Sequence, residues 1–284
     1  MRQIHIAGRH VEGIGLGTAQ FAFRNGTAED SIATVHAALD AGVMLIDTAL
    51  AYSRAGIESY AENIVARALR GVASGRPVIA TKGGHWREGA DFPIDGRPDT
   101  LRAHCEISLR TLEVDRIDLY QLHHADPQVP LHDSVGALEQ LRKEGKIAAI
   151  GLSNVSVAQL DEALAVVPIE TVQNRLSYGH PGDLPMARAC AERNVTYLAY
   201  MPLGGRSGTP PAAALAVARR RGASAHRVLL AWLRQQAPNI VPLVGASRPA
   251  SIRDSAASLH LTDKDLEHLT ALDNSARSLP RDDG

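Results

Sequence analysis

The sequence predicts a closed (β/α)8 TIM barrel preceded by a small β-hairpin. Short β-rich runs alternate with longer amphipathic stretches from one end of the chain to the other. Such alternation argues a parallel sheet with helices on its outside. Eight units of this kind fill 284 residues, the usual length of one α/β barrel. No linker, low-complexity segment or strong repeat interrupts them, so one domain over residues 1–284 is expected.

The elements follow in order. A hairpin is expected from Ile4–Ala7 and His10–Glu12, turning at Gly8-Arg9. The predicted strands are Ile14–Gly17, Met44–Asp47, Val78–Thr81, Ile117–Leu122, Ala148–Leu152, Thr171–Gln173, Thr196–Tyr200 and Ile240–Val244. Thr27 or Asp30 opens a helix over Ser31–Ala41, and Gly42 stops it. Glu58–Arg70 ends before Gly71, and Asp99 opens Thr100–Leu112. Asp133 lies near the start of a helix reaching Glu144; Ser156 starts Val157–Val166 and Asp183 starts Leu184–Arg193. Pro210 and Pro211 open Ala212–Arg221, and Ser224 caps Ala225–Gln236. A short helix follows the last strand. Thr262 and Asp265 then form a box-like N-terminus for a final helix to about Asn274. These are ordinary start and stop signals.

Composition narrows the function classes. Net charge is −1, which gives no electrostatic reason to expect nucleic acid or an anionic membrane as partner. The run Arg219, Arg220, Arg221 reads as a helix end complementing the helix dipole. Cys105 and Cys190 are far apart and offer neither metal spacing nor a disulfide framework, so two buried thiols are expected. The N-terminus lacks a basic-then-apolar run, and no stretch is apolar enough to cross a bilayer. A cytoplasmic location is expected by elimination.

The unusual polar residues share one address. Asp47, Lys82, His123, Ser153 with Asn154, Gln173 and Tyr200 close predicted strands two to seven, and Tyr52 lies in the loop after strand two. Gly245, Ser247 and Arg248 follow strand eight. In a barrel these strand ends form one rim, where active sites lie. A phenol at a pKa of about 10 is a poor proton donor at neutral pH. A nearby ammonium should lower that value, and a carboxylate should keep the ammonium charged. A neutral histidine can orient a carbonyl oxygen. Asp47, Tyr52, Lys82 and His123 together suit protonation of an oxygen that gains negative charge, as when hydride reaches a carbonyl carbon. No side chain donates hydride, so a nicotinamide cofactor is expected.

Each residue also has a plainer reading. Asp47 could cap a turn, Tyr52 could be a rim aromatic, and Lys82 could serve a structural ion pair or form a Schiff base as in a barrel aldolase. Adjacent His123 and His124, read as strand residues, should face opposite sides and so not share a metal; no metal site is expected. Ser153-Asn154 could be a turn and helix start.

Taken together, the segments resemble the aldo-keto reductase family over essentially the whole chain. IDTALAYSRAGIESYAENIVARAL carries the pattern Asp, Tyr five residues later, then Glu in the following helix. ATKGG resembles the catalytic lysine segment and RIDLYQLHHADPQVP the histidine segment. IGLSNV, VQNRLSY, LAYMPLGG and PLVGASRP resemble the later cofactor segments, in order. The resemblance implies Tyr52 as acid/base, tuned by Lys82 and Asp47, with His123 positioning the carbonyl. It implies Ser153, Asn154 and Gln173 on the nicotinamide carboxamide, Tyr200 on its ring, and Pro202, Leu203 and Gly204 along the pyrophosphate. Gly17 and Thr18 would lie under the nicotinamide half; GIGLGT lacks the GxGxxG spacing. Ser247, Arg248 and Ser251 fall in the segment that binds the 2′-phosphate in this family, which favours NADPH/NADP+ over NADH. Ser251 stands where relatives often carry Arg or Gln, and Ser255 where many carry Asn.

The loop after Lys82 offers His85, Trp86 and Phe92, with His124, as pocket walls. It looks like a bacterial branch that includes pyridoxal reductase-like enzymes. No long C-terminal substrate loop follows the final helix, which favours a small or polar carbonyl compound. Some relatives are nucleotide-binding regulatory subunits with slow turnover, and nothing in the sequence adds an interaction segment for that role.

Overall fold

The computed structural model describes residues 3–24, 26–54, 57–72, 75–205 and 209–277. Two antiparallel strands come first, β1 (Ile4–Ile6) and β2 (Arg9–Val11). The two-residue turn between them is Ala7-Gly8, one residue earlier than expected, with φ of 51° and 73°. Such a turn demands positive φ at both positions. Glycine supplies one freely. Ala7 is held there by a tertiary contact, its N–H donating to Glu170 Oε1 at 2.7 Å.

Eight parallel strands then close a barrel: β3 (Gly15–Gly17), β4 (Leu45–Asp47), β5 (Val78–Gly83), β6 (Ile117–Leu122), β7 (Ile147–Ser153), β8 (Thr171–Arg175), β9 (Thr196–Tyr200) and β10 (Ile240–Gly245), which pairs with β3. The predicted (β/α)8 barrel and N-terminal hairpin are thus the observed fold. Side chains alternate between the barrel interior and the helix layer. The lower interior is apolar: Leu45, Val78, Ala80, Leu119, Ala149, Leu198, Val241 and Leu243 form one cluster, and Ile6 and Val11 of the hairpin plug its floor. Two residues further along, the inward positions become Asp47 on β4, Lys82 on β5 and Gln121 on β6. The same alternation makes Thr81, Tyr120 and Leu122 face the helices.

The outer layer comprises α1 (Ala19–Phe23), α2 (Ala28–Asp40), α3 (Tyr60–Leu69), α4 (Pro98–Leu112), α5 (Leu131–Lys143), α6 (Val157–Leu164), α7 (Leu184–Glu192), α8 (Ala212–Arg221), α9 (Ala225–Arg234), α10 (Pro249–Ala256) and α11 (Asp263–Arg277). Thr27 with Asp30 and Ser156 with Gln159 form capping boxes, and Ser224 caps α9. Both cysteines are buried, and burial pushes each thiol up to about 12. None of the described helices is long and apolar enough to cross a membrane.

The arginine run ends α8 as expected and also pairs across to α11. Arg220 reaches the buried Asp265 carboxylate at 2.6 Å and Arg221 at 3.6 Å, while Thr262 N–H donates to it at 3.0 Å. Burial disfavours the charged carboxylate, but Arg220 and Thr262 outweigh it and hold Asp265 at about 2. A depressed carboxylate stabilises the fold above its ordinary value of 3.8 and stops doing so as pH falls toward about 2. Asp265→Asn is therefore expected to destabilise by about 1 kcal/mol at neutral pH. Urea unfolding at several pH values should show the gap to wild type closing below pH ~4.

Candidate active site

The polar upper half of the barrel interior is built around one carboxylate. Asp47 ends β4 with both oxygens 2.8 Å from Lys82 Nζ. Gln173 Nε2 donates to the same carboxylate at 2.8 Å and Gln121 Nε2 at 3.4 Å. Lys82 is completely buried, and its ammonium also donates to Thr48 O at 2.8 Å and to the Tyr52 hydroxyl at 3.4 Å. Burial pulls the ammonium down, but Asp47 and Tyr52 more than offset this, and its pKa is raised. A Schiff-base lysine needs the opposite shift.

Tyr52 departs from expectation. Burial pushes its phenol above the ordinary value, and the Lys82 charge opposes this without prevailing. Losing solvent around a phenolate costs more here than one ammonium, already shared with Asp47, returns. The ammonium's role is to limit that rise.

The Tyr52 loop is clamped by groups outside the expected catalytic and cofactor-binding residues. Arg54 donates to the carbonyls of Phe21 (2.6 Å), Gly26 (3.0 Å) and Arg24 (3.1 Å), and its guanidinium lies 4.2 Å over the Tyr60 ring. Ala61 N–H donates to Tyr52 O at 3.0 Å. Glu62 on α3 is wholly buried and accepts from Ser59 and from Thr81, the outward neighbour of Lys82. Burial pushes the Glu62 carboxyl up. In the sequence Arg54 and Ser59 look like ordinary loop polar residues, and the glutamate of the following helix carries no assigned role; the closed barrel puts them behind the site.

β6 ends at Leu122, so His123 and His124 lie beyond the strand. Their rings stack at 5.1 Å and 18° rather than facing opposite sides, which corrects the alternation argument. His123 is buried edge-on to Tyr52, ring centroids 6.1 Å apart, and its Nδ1 is buried without a partner. Only Nε2 is left to serve the cavity. Burial, then the Lys82 charge, keeps His123 well below its ordinary value, hence neutral. Among the described residues no group of three or more His, Cys, Asp or Glu is arranged to hold a metal ion.

One cavity of about 820 Å³ runs across this rim. Its size falls at the upper end of small-molecule and cofactor sites, roughly 300–1,000 Å³. Asp47, Tyr52, His123, His124, Ser153, Asn154, Gln173 and Tyr200 line one part; Pro202, Leu203, Gly245, Ser247, Arg248 and Ser251 line another, and Gly17 also borders it. Asn154, at φ 58°, donates to His123 O at 3.1 Å and accepts from the Tyr200 hydroxyl at 2.9 Å. Arg248 precedes α10, whose first residue is Pro249.

Several expected wall residues are elsewhere. Thr18 is buried, its N–H and hydroxyl both donating to Asp47 O, so it ties β3 to β4. Gly205 lines the cavity where Gly204 was expected. Trp86 packs edge-on against His104 on α4, ring centroids 5.4 Å apart, away from the wall. His85 stacks on Phe92 and rests against both rim histidines without forming the wall itself. Gln20, Arg24, Met201, His226 and Asp254 line the cavity unanticipated.

The model of the aldo/keto reductase family matches residues 13–274. This chain belongs to that family. It is 33% identical over 281 residues to a 6-dehydroglucose reductase of Novosphingobium aromaticivorans, covering 91% of this chain and 90% of that protein. Among solved structures, the glycerol dehydrogenase from Gluconobacter oxydans superposes with a TM-score of 0.85 at 28% identity, covering 99% and 98% of the two chains. The aldo-keto reductase from Klebsiella pneumoniae in complex with NADPH gives 0.80 at 27% identity, covering 95% and 94%. The family is one of oxidoreductases, and the aldo-keto reductase rim just described is where this member's chemistry is to be sought.

Proposed function

We propose that this aldo-keto reductase reduces an aldehyde or ketone to an alcohol with NADPH, Tyr52 giving the proton. The observation that carries the reading is the chain of contacts Asp47–Lys82–Tyr52, ending on a phenol at the cavity wall beside His123.

The residues fit the cofactor. Ser153, Asn154 and Gln173 offer side-chain oxygens and amides to a carboxamide, although Gln173 spends one N–H on Asp47. Tyr200 offers a ring, Pro202 and Leu203 flank a pyrophosphate, and Ser247, Arg248 and Ser251 surround the start of α10, a favourable place for a phosphate. A reduced nicotinamide, when bound there, would supply the hydride that the carbonyl carbon needs. Neutral His123 donates from Nε2 to the carbonyl oxygen; its unpartnered Nδ1 is better buried as a bare lone pair than as an N–H. Tyr52 transfers its hydroxyl proton as negative charge grows on that oxygen. Lys82 steadies the phenolate left behind, and Asp47 keeps Lys82 charged and in place. The names of the dehydroglucose reductase and the glycerol dehydrogenase favour a polar substrate. The Schiff-base alternative is disfavoured by the raised Lys82.

The test is a carbonyl panel with purified protein, followed by NADPH absorbance. Carbonyl-dependent oxidation of NADPH is expected; its absence across aldehydes and ketones would overturn the reading. Arg248→Ala is expected to weaken NADPH by tenfold or more, on the order of 1.5–3 kcal/mol for a charge-assisted bond, with little change for NADH. Fluorescence titration of both cofactors checks it, and equal losses would remove Arg248 from the 2′-phosphate.

A further inference from the structure

The loop that carries Tyr52 and the strand that carries Lys82 meet at a buried carboxylate for which the chemical step has no use. Glu62 on α3 is fully enclosed. One of its oxygens accepts from the Thr81 hydroxyl at 2.5 Å and the other from the Ser59 hydroxyl. Thr81 precedes Lys82 on β5 and faces the helices where Lys82 faces the barrel interior. Ser59 closes the Tyr52 loop at φ 53°, a left-handed conformation uncommon outside glycine. Its N–H donates to Ser53 Oγ at 2.9 Å, and that hydroxyl donates to Leu50 O, also at 2.9 Å. Leu50 N–H returns to β5, donating to Lys82 O at 3.4 Å. Hydrogen bonds thus run from β5 through the Tyr52 loop and back to β5 by way of Glu62. Among the described residues neither the Ser59 nor the Thr81 hydroxyl has another acceptor, so the ionised carboxylate is the form that uses both protons. Burial opposes that charge and raises the carboxyl, while the Ser59, Thr81 and Ser108 hydroxyls and the Lys82 ammonium limit the rise.

Resting on the carbonyl-reductase reading, we propose that Glu62 is a positioning residue for proton transfer, locking the Tyr52 loop to β5 and so fixing the 3.4 Å spacing between the Tyr52 hydroxyl and Lys82 Nζ. That spacing needs outside support. Lys82 makes its short contacts, each 2.8 Å, to Asp47 and Thr48 O, and the phenol receives only the long one. The Lys82–Tyr52 contact is therefore too weak to hold the phenol, and the loop's own anchorage has to do so. A displacement of about 1 Å at a catalytic group can cost on the order of a hundredfold in rate. Glu62 acts at one remove: it lies on the helix side of β5 and is not among the residues lining the cavity. Packing alone does not call for it, since an apolar side chain would fill the space without burying a carboxylate.

The experiment is steady-state kinetics and NADPH titration on Glu62→Gln, Thr81→Val and the double variant, using a carbonyl compound that wild type reduces. Circular dichroism selects a temperature at which each variant is folded. Glu62→Gln keeps the shape but leaves one hydroxyl proton without an acceptor, and Thr81→Val cuts the same tie at its β5 end. Each should lower kcat by about tenfold or more, with KM for the carbonyl compound and NADPH affinity within about twofold of wild type. The double variant should fall no further than the weaker single one, because both changes break one connection. Ser59→Ala, which cuts the tie at its loop end, replaces either single variant if that one does not fold. Wild-type kcat in the folded single variants, losses that multiply in the double variant, or a rise in KM with kcat unchanged overturns the inference while the reductase reading stands. A wild type that reduces no carbonyl compound overturns both.

Discussion

Replacing Tyr52 with phenylalanine is expected to lower kcat by about a thousandfold, within the range general acid catalysis contributes. NADPH affinity should stay near that of wild type, because the hydroxyl acts on charge that exists only in the transition state. The ring itself remains, so its edge contacts with Phe23 and His123 survive. The lost atom is the one 3.4 Å from Lys82 Nζ. Single-turnover kinetics with a confirmed substrate separates the two effects. Wild-type turnover in the variant would mean that another group delivers the proton.

The second large effect belongs to Lys82. Lys82→Met should abolish most turnover, since the phenolate loses its stabilising charge, and should also destabilise the fold. Among the described residues, it leaves Asp47 as a buried carboxylate with side-chain hydrogen bonds from the Gln173 and Gln121 amides. Removing one partner of a buried pair costs ~3–5 kcal/mol. Asp47→Asn with Lys82→Met should recover part of that loss, which a double-mutant cycle by urea unfolding measures. Because the lysine pKa is raised on folding, the stability Lys82 contributes is fully present below the ordinary 10.5 and is lost as pH climbs through the higher folded value. The neutral range should therefore show no pH dependence from Lys82. Additive losses in the double variant would mean that the two residues stabilise the fold independently.

Much of this arrangement is legible locally. Val78, Ala80 and Lys82 share one face because a strand alternates, and the polar member closing each apolar run marks the rim. What escapes a linear reading depends on partners distant in sequence. The hairpin turn sits on Ala7 because Glu170 takes its N–H. His123 and His124 share a side because they follow β6, which ends at Leu122 as expected, so strand alternation no longer governs them. Trp86 looks like a pocket wall until His104 on α4 captures it. The phenol of Tyr52 rises because the closed rim strips solvent from it, an effect of packing that residue types alone do not disclose. Arg54 and Glu62 act as clamps only once α1, α3 and β5 are side by side.

The central claim is that the Tyr52 rim protonates an oxygen while hydride arrives at the adjoining carbon. Turnover with NADPH deuterated at the transferable C4 position tests it most directly, by mass spectrometry of the product alcohol. One deuterium on the former carbonyl carbon is the predicted result. Product without deuterium, or a borohydride-trapped substrate adduct on Lys82, would contradict it.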